Sequence, residues 1–271
     1  MKGQPITAGI PEPYEAISDT YDRLAVWACE HWGESPRYKM AAFLEKVWSD
    51  HPAPVHSVLE VCCGTGLMLE QLVRRGYAVS GLDRSGPMLA RARTRLGSDV
   101  PLVRSELPEI PGDQQYDAVI CAAAALNYMP DEQTLQRTFE AVARTVRPGG
   151  SFVFDILAHR MVADRFGTSV WADDLGDLAF IWKFQNHPGQ SHTDLDYTQF
   201  LRDGDGPDTY TVVRETHRLF ALDRETVREL ARRAGFTDIA VYDNYSFEPA
   251  DGATDYETWT LTRGQATDPP R

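Results

Sequence analysis

Two glycines a residue apart, Gly64 and Gly66, end the apolar run Ser57-Val58-Leu59-Glu60-Val61 and open the helical pattern Leu67-Met68-Leu69-Glu70. The run is β-branched enough for a buried strand, and the glycines force a tight turn into the helix. Such a turn aims backbone N–H groups at a ligand. Glycine suits it because a side chain would hold the ligand off the backbone, and because positive φ costs glycine little. A dinucleotide fingerprint needs a third Gly or Ala where Leu69 stands, and a P-loop needs Lys then Ser or Thr where Leu67 and Met68 stand. Both phosphate readings recede, leaving a cofactor with a nucleoside but no phosphate. Glu60, which opens the motif, suits a cationic group on it.

The next strand pattern, Tyr77 to Asp83, ends in an acid 17 residues past Gly66. An acid at that strand end accepts both hydroxyls of a ribose. Further strand patterns end at Arg104, Cys121 and Ile156, and a helix pattern from about Asp131 to Val146 runs into Arg147-Pro148-Gly149-Gly150, read as a turn that stops the helix. From Ser169 to Phe220 the character changes to three β-rich runs, Phe180–Phe184, Thr193–Phe200 and Tyr210–Phe220, whose alternation predicts a half-exposed antiparallel sheet. Asp223 caps a helix stopped by Gly235, and Ile239–Tyr242 and Thr258–Leu261 supply two closing strands. Ahead of all this, helices are expected from Tyr14 to Trp32 and from Ser35 to Trp48, with Trp27 and Trp48 in the core.

The chain now resembles the class I S-adenosylmethionine-dependent methyltransferases, whose motif runs acid, any residue, Gly, any residue, Gly, any residue, Gly. Glu60, Gly64 and Gly66 match it, while Cys62 takes the first glycine position. The resemblance implies an α/β fold: a Rossmann-like doubly wound sheet, mostly parallel, of seven strands with a C-terminal antiparallel hairpin. An inserted antiparallel β lid completes it. The implied division is an N-terminal helical lid segment at 1–50, a cofactor-binding core at 51–165 and 221–263, the lid at 166–220 and a disordered tail at 264–271.

By the same resemblance S-adenosylmethionine is the cofactor and S-adenosylhomocysteine its product. The backbone around Cys62, Gly64 and Gly66 holds it with Glu60; Tyr21 and Tyr38 fold over it; Asp83 takes the ribose. Arg84 and Met88 edge the adenine, Glu106 and Leu107 meet its amino group and ring, and Ala122 follows at the fourth strand end. A small-molecule subgroup carries Tyr-Asp-Ser-Leu-Asn-Tyr after that strand; here Leu126-Asn127-Tyr128 survives, with Ala124 and Ala125 replacing Asp and Ser. The subgroup's Glu-any-His element matches Glu215 and His217. Histidine titrates near neutrality, which makes His217 on the lid and His159 at the sheet edge candidate bases, with Tyr128 a candidate hydrogen-bonding group for the acceptor.

The expected activity is methyl transfer to an N or O nucleophile of a small molecule, of the kind tailored in secondary metabolism. Two alternatives stay open: a non-methylating enzyme that uses bound cofactor to shape its pocket, and a cofactor-binding module without turnover. A formal net charge of −13 argues against a nucleic-acid partner, and Arg91-Ala92-Arg93-Thr94-Arg95 reads as the solvated face of a helix. The N-terminus lacks the apolar stretch of a signal peptide, and no apolar run reaches membrane-spanning length, so no membrane partner and a cytoplasmic location are expected. Cys29, Cys62, Cys63 and Cys121 show no metal-knuckle spacing, so no metal is expected. A homo-oligomer is compatible with the sequence.

Overall fold

The computed structural model describes residues 12–187, 189–204 and 209–265. In chain order the elements are α1 (Tyr21–His31), α2 (Arg37–Ser49), β1 (Ser57–Val61), α3 (Leu67–Val73), β2 (Ala78–Asp83), α4 (Gly86–Leu96), β3 (Leu102–Arg104) and β4 (Tyr116–Cys121). There follow α5 (Glu132–Thr145), β5 (Val146–Leu157), β6 (Val170–Asp174), β7 (Leu178–Asn186), β8 (His192–Arg202), β9 (Tyr210–Phe220), α6 (Arg224–Arg233), β10 (Phe236–Asp243) and β11 (Tyr256–Arg263). Among the described residues they form a seven-stranded sheet, order β10-β11-β5-β4-β1-β2-β3, and a four-stranded sheet, order β6-β7-β8-β9. β5, β4, β1, β2 and β3 run parallel and β11 pairs antiparallel with both β5 and β10, so the mostly parallel, doubly wound fold with its terminal hairpin is present.

Helices cover both faces of the large sheet because its strands are apolar on both sides. On one face α5 and α6 bring Phe139, Val142, Val227 and Leu230 against Phe152, Phe154 and Trp259. On the other, α2 and α3 bring Phe43, Trp48, Met68 and Leu72 against Val58, Val79 and Ile120. Each such large side chain taken fully from water contributes about 1.5–3 kcal/mol. A third core lies apart, where Trp27 of α1 meets Phe180 and Trp182 of β7 edge-on at centroid separations of 4.9 and 5.2 Å. The indole N–H of Trp27 donates to Asp173 of β6 at 2.7 Å, which fastens α1 to the small sheet.

The strand order changes direction at β1, which has β2 on one side and β4 on the other. Loops leaving β1 and β4 therefore diverge and open a crevice at the carboxyl ends of the strands, where open α/β sheets bind ligands.

Several sequence expectations shift. The first helix starts at Tyr21, seven residues later than expected. Tyr14 sits at φ 69°, and the backbone N–H groups of Tyr14, Ala16 and Ile17 are taken by Glu215 rather than by a helical ladder. Pro148-Gly149-Gly150 does not separate α5 from β5; it lies within β5, at a register irregularity opposite Tyr116 and Ala118. Gly150 is needed there because a Cβ would come within 2.7 Å of the Asp117 carbonyl. The small sheet gains β6, whose short Val-Trp-Ala-Asp-Asp sequence carried little β signal. The arginine face of α4 is engaged rather than merely solvated: Arg91 pairs with Asp19, and Arg95 with Asp22 and Glu70. Of the tail expected to be disordered, 266–271 lies outside the described residues, and the Gly264 N–H donates to Gly235 at 3.0 Å.

Candidate functional site

The crevice holds a cavity of about 280 Å³, and the glycine turn after β1 forms its floor. Cys62 and Gly64 line it with φ of +58° and +53°. A Cβ on Gly64 would meet no atom within 4 Å, so that backbone faces open space. Cys62 adopts a conformation that favours glycine, which accounts for a glycine at this place in the motif. Gly66 does not line the cavity. It serves the turn with φ +77°, and a Cβ there would press Leu96 and Ala92 of α4 at 3.0 and 3.3 Å.

Asp83, at the end of β2, turns its carboxylate back onto the loop. Oδ2 accepts the Gly64 N–H and Oδ1 the Ser85 N–H, both at 2.8 Å, and each oxygen keeps lone pairs for a further donor. Burial raises its pKa, and those two backbone donors oppose the rise. Glu60 is 3% exposed, and its Oε2 has no hydrogen-bond partner. Burial pushes its carboxyl well above the usual range, against the pull of Arg37. Arg37 also lines the cavity and pairs with Glu34 at 2.5 Å. Opposite, Glu106 and Leu107 line the wall after β3, and the exposed Glu106 carboxylate lies 3.3 Å from Arg84. Met88 and Ala122 complete the apolar part.

A second, smaller chamber of about 110 Å³ lies between α1 and the small sheet. Tyr14, Tyr21, Ala123 and Tyr128 line both spaces and form the wall between them. Across this wall runs a chain of hydrogen bonds: Tyr14 and Tyr128 hydroxyls at 2.6 Å, Tyr128 hydroxyl to His217 Nδ1 at 2.8 Å, and His217 Nε2 to Glu215 Oε2 at 2.9 Å. Its direction follows from chemistry. The Glu215 oxygens already accept three backbone N–H groups, so they act as acceptors and Nε2 carries the hydrogen. With the imidazole neutral, Nδ1 accepts, Tyr128 donates to it, and Tyr14 donates to Tyr128. Burial raises both phenols well above their ordinary range, so both keep their protons.

Local structure explains why these side chains meet. Tyr128 ends a short 3₁₀ turn, Ala125–Tyr128, fixed by Asn127. The fully buried Asn127 amide donates to Leu157 and Phe220 carbonyls, and its oxygen accepts the Leu157 N–H at 2.9 Å. One amide thus ties the turn after β4 to the ends of β5 and β9. Asp22, next to Tyr21, accepts the Thr65 hydroxyl at 2.6 Å and pairs with Arg95, locking α1 onto the glycine turn.

Of the residues singled out from sequence, Glu60, Cys62, Gly64, Asp83, Arg84, Met88, Glu106, Leu107, Ala122 and Tyr21 line the cavity, and Tyr128 and His217 meet beside it. Tyr38 stands away from it, 65% exposed on α2, because helical spacing points its ring to solvent. His159 is exposed beyond β5 and lines neither space. Sequence reasoning passed over Tyr14 and Arg37 as site residues. Tyr14 gave no signal because its placement depends on Glu215, 201 residues away. Arg37 gave one: a Glu34/Arg37 pair at the start of an aromatic-rich helix.

The small sheet also brings His187, His192 and Asp194 together, with their potential ligand atoms within 4.8 Å of one another. Arg218 occupies the Asp194 carboxylate through two bonds of 2.7 and 3.0 Å. No helix among the described residues is long and apolar enough to cross a membrane.

Comparison with known proteins bears on this geometry. Residues 58–150 match the sequence profile of a family described as a methyltransferase domain. The Bacillus subtilis protein named "Putative methyltransferase YqeM" is 30% identical over 184 residues, 66% of this chain and 72% of that protein. A Streptomyces fradiae protein named dTDP-3-amino-3,6-dideoxy-alpha-D-glucopyranose N,N-dimethyltransferase is 30% identical over 151 residues, 55% of this chain and 56% of that protein. Among solved structures, an S-adenosylmethionine-dependent methyltransferase from Clostridium acetobutylicum superposes with a TM-score of 0.82 at 21% identity, covering 90% of this chain and 99% of that one. At that identity the likeness is one of fold.

Proposed function

Because this chain belongs to the methyltransferase family, we propose that it methylates a nitrogen or oxygen nucleophile of a small molecule held in the chamber beside the cofactor cavity. The cofactor is S-adenosylmethionine, and the residues present suit it. Glu60 Oε2, buried and unpartnered, is an acceptor waiting for a donor such as an ammonium group. The open space over Gly64 admits a ligand against backbone, and Asp83 retains acceptor capacity for ribose hydroxyls. Arg37 would face the carboxylate end, and Glu106 and Leu107 the base.

When bound, the cofactor supplies an electrophilic methyl group on a sulfonium, which an acceptor displaces in line. The protein's share is alignment, exclusion of water and care of the acceptor's proton. Tyr14, Tyr21 and Tyr128 stand where the two spaces meet, so an acceptor in the chamber is held toward the cavity. The hydroxyl oxygens of Tyr14 and Tyr128 have spare lone pairs, while their hydrogens point along the chain toward His217. A proton leaving the acceptor to the Tyr128 oxygen is matched by transfer of the phenol proton to Nδ1. Glu215 then stabilises the imidazolium through Nε2. No tyrosinate need form.

The observation that carries this reading is the four-residue hydrogen-bonded chain set into the wall shared by cavity and chamber. His217→Ala tests it. Steady-state assay of S-adenosylhomocysteine release, with an acceptor found by screening, is expected to show kcat lowered about 10²-fold or more. Cofactor affinity, read by calorimetry, is expected to stay within threefold. Unchanged kcat would remove the chain from the mechanism.

A further inference from the structure

The chamber's lining carries information about what enters it. Its walls are mostly aromatic and aliphatic: Trp32, Trp182, Tyr197 and Tyr256 face Leu24 and Leu195. Among the described residues none of its lining is Lys or Arg, and its carboxylate is Glu34. Arg37, Arg84 and Arg137 line the cofactor cavity instead, and Arg37 is already paired with Glu34. The chamber's volume is about 110 Å³, room for a small ring.

Each property excludes a class of acceptor. A phosphate or diphosphate group taken into such a chamber would lose its hydration with no cation to replace it. A compact cation is favoured, because aromatic faces attract it by about 2 kcal/mol where water is excluded. The hydrogen-bonded chain points the same way, since its tyrosine oxygens keep lone pairs that an N–H group can use. We propose, resting on the methyltransferase reading, that the part of the acceptor seated in the chamber is a primary or secondary amine on a compact apolar frame, of about five-ring size, with no phosphate group on it.

Calorimetric titration of the wild-type protein, with S-adenosylhomocysteine bound, tests this with three probes: cyclopentylamine, cyclopentanol and dTDP. Cyclopentylamine is expected to bind saturably, cyclopentanol at least tenfold more weakly, and dTDP not to compete with the amine. Trp182→Leu, at a residue that lines the chamber and not the cofactor cavity, is expected to weaken the amine at least tenfold and leave S-adenosylhomocysteine affinity unchanged. Tighter binding of dTDP than of cyclopentylamine, or equal binding of amine and alcohol, would overturn the proposal on wild-type protein alone. Loss of S-adenosylhomocysteine binding itself would instead overturn the methyltransferase reading, so the two failures are separable.

Discussion

The cofactor cavity and the acceptor chamber share a wall but are built on opposite principles. The cavity is made of backbone turns and single acids at strand ends, each within a few residues of a short motif: Glu60 to Gly64, Asp83 to Met88, Glu106 to Leu107. The chamber is made of aromatic side chains from α1, β7, β8 and β9 together with the turn after β4, far apart in sequence. One presents main-chain groups and strand-end carboxylates to its interior. The other is lined by side chains from distant parts of the chain. What joins them is Glu215, whose carboxylate holds both the segment before α1 and His217.

That junction offers the strongest way to break the comparison. Glu215→Ala leaves three backbone N–H groups and His217 Nε2 without their acceptor in a buried place, at about 1–3 kcal/mol for each unsatisfied group. Turnover is expected to fall more than 10²-fold, and cofactor affinity several-fold, because Tyr14 borders both spaces. Stopped-flow and calorimetric assay that found only turnover affected would show the two compartments to be independent.

A sharper division is expected from Gly64→Val. The new side chain must adopt φ near +53° and projects into the cavity. S-adenosylmethionine affinity is expected to fall at least tenfold, while amine binding to the chamber changes less than twofold.

The smallest effect concerns pH. Burial lifts the Asp155 carboxyl to about 7, with Glu34 adding to the rise and Arg37 opposing it. Between about pH 4 and pH 7 the folded protein therefore holds a proton that the unfolded chain has lost. The Asp155 contribution to stability falls as pH rises through that window and is level outside it. Asp155→Asn removes the slope, so its melting temperature relative to wild type is expected to climb by a few degrees from pH 4 to pH 8. A constant difference across that range, by differential scanning calorimetry, would place Asp155 in a different ionisation state.

The same contrast explains what could be read in the sequence. Strand, glycine turn and acid at a strand end are local facts, so β1, β2 and the cavity residues Glu60, Gly64 and Asp83 were legible from spacing. The alternation in β7 to β9 announced the second sheet. Its partner did not announce itself: that Trp27 packs on Phe180 and Trp182, and that the 14–20 segment hangs from Glu215, are pairings across more than 140 residues. Tyr38 and His159 were chosen by residue type and position near a motif, and helix phase on α2 and exposure past β5 put them elsewhere. Gly66 was correctly seen as a glycine position, but its constraint is the approach of α4 rather than a ligand.

The central claim is that Asp83 and the glycine turn hold S-adenosylmethionine at the β1–β4 crevice. Calorimetric titration of S-adenosylmethionine into wild type and Asp83→Ala tests it most directly. One site per chain in the wild type is predicted, weakened about 10²-fold in the variant by the loss of charge-assisted hydrogen bonds to the ribose and of the Gly64 and Ser85 anchors. Absence of binding by the wild type, or equal binding by both proteins, would contradict it.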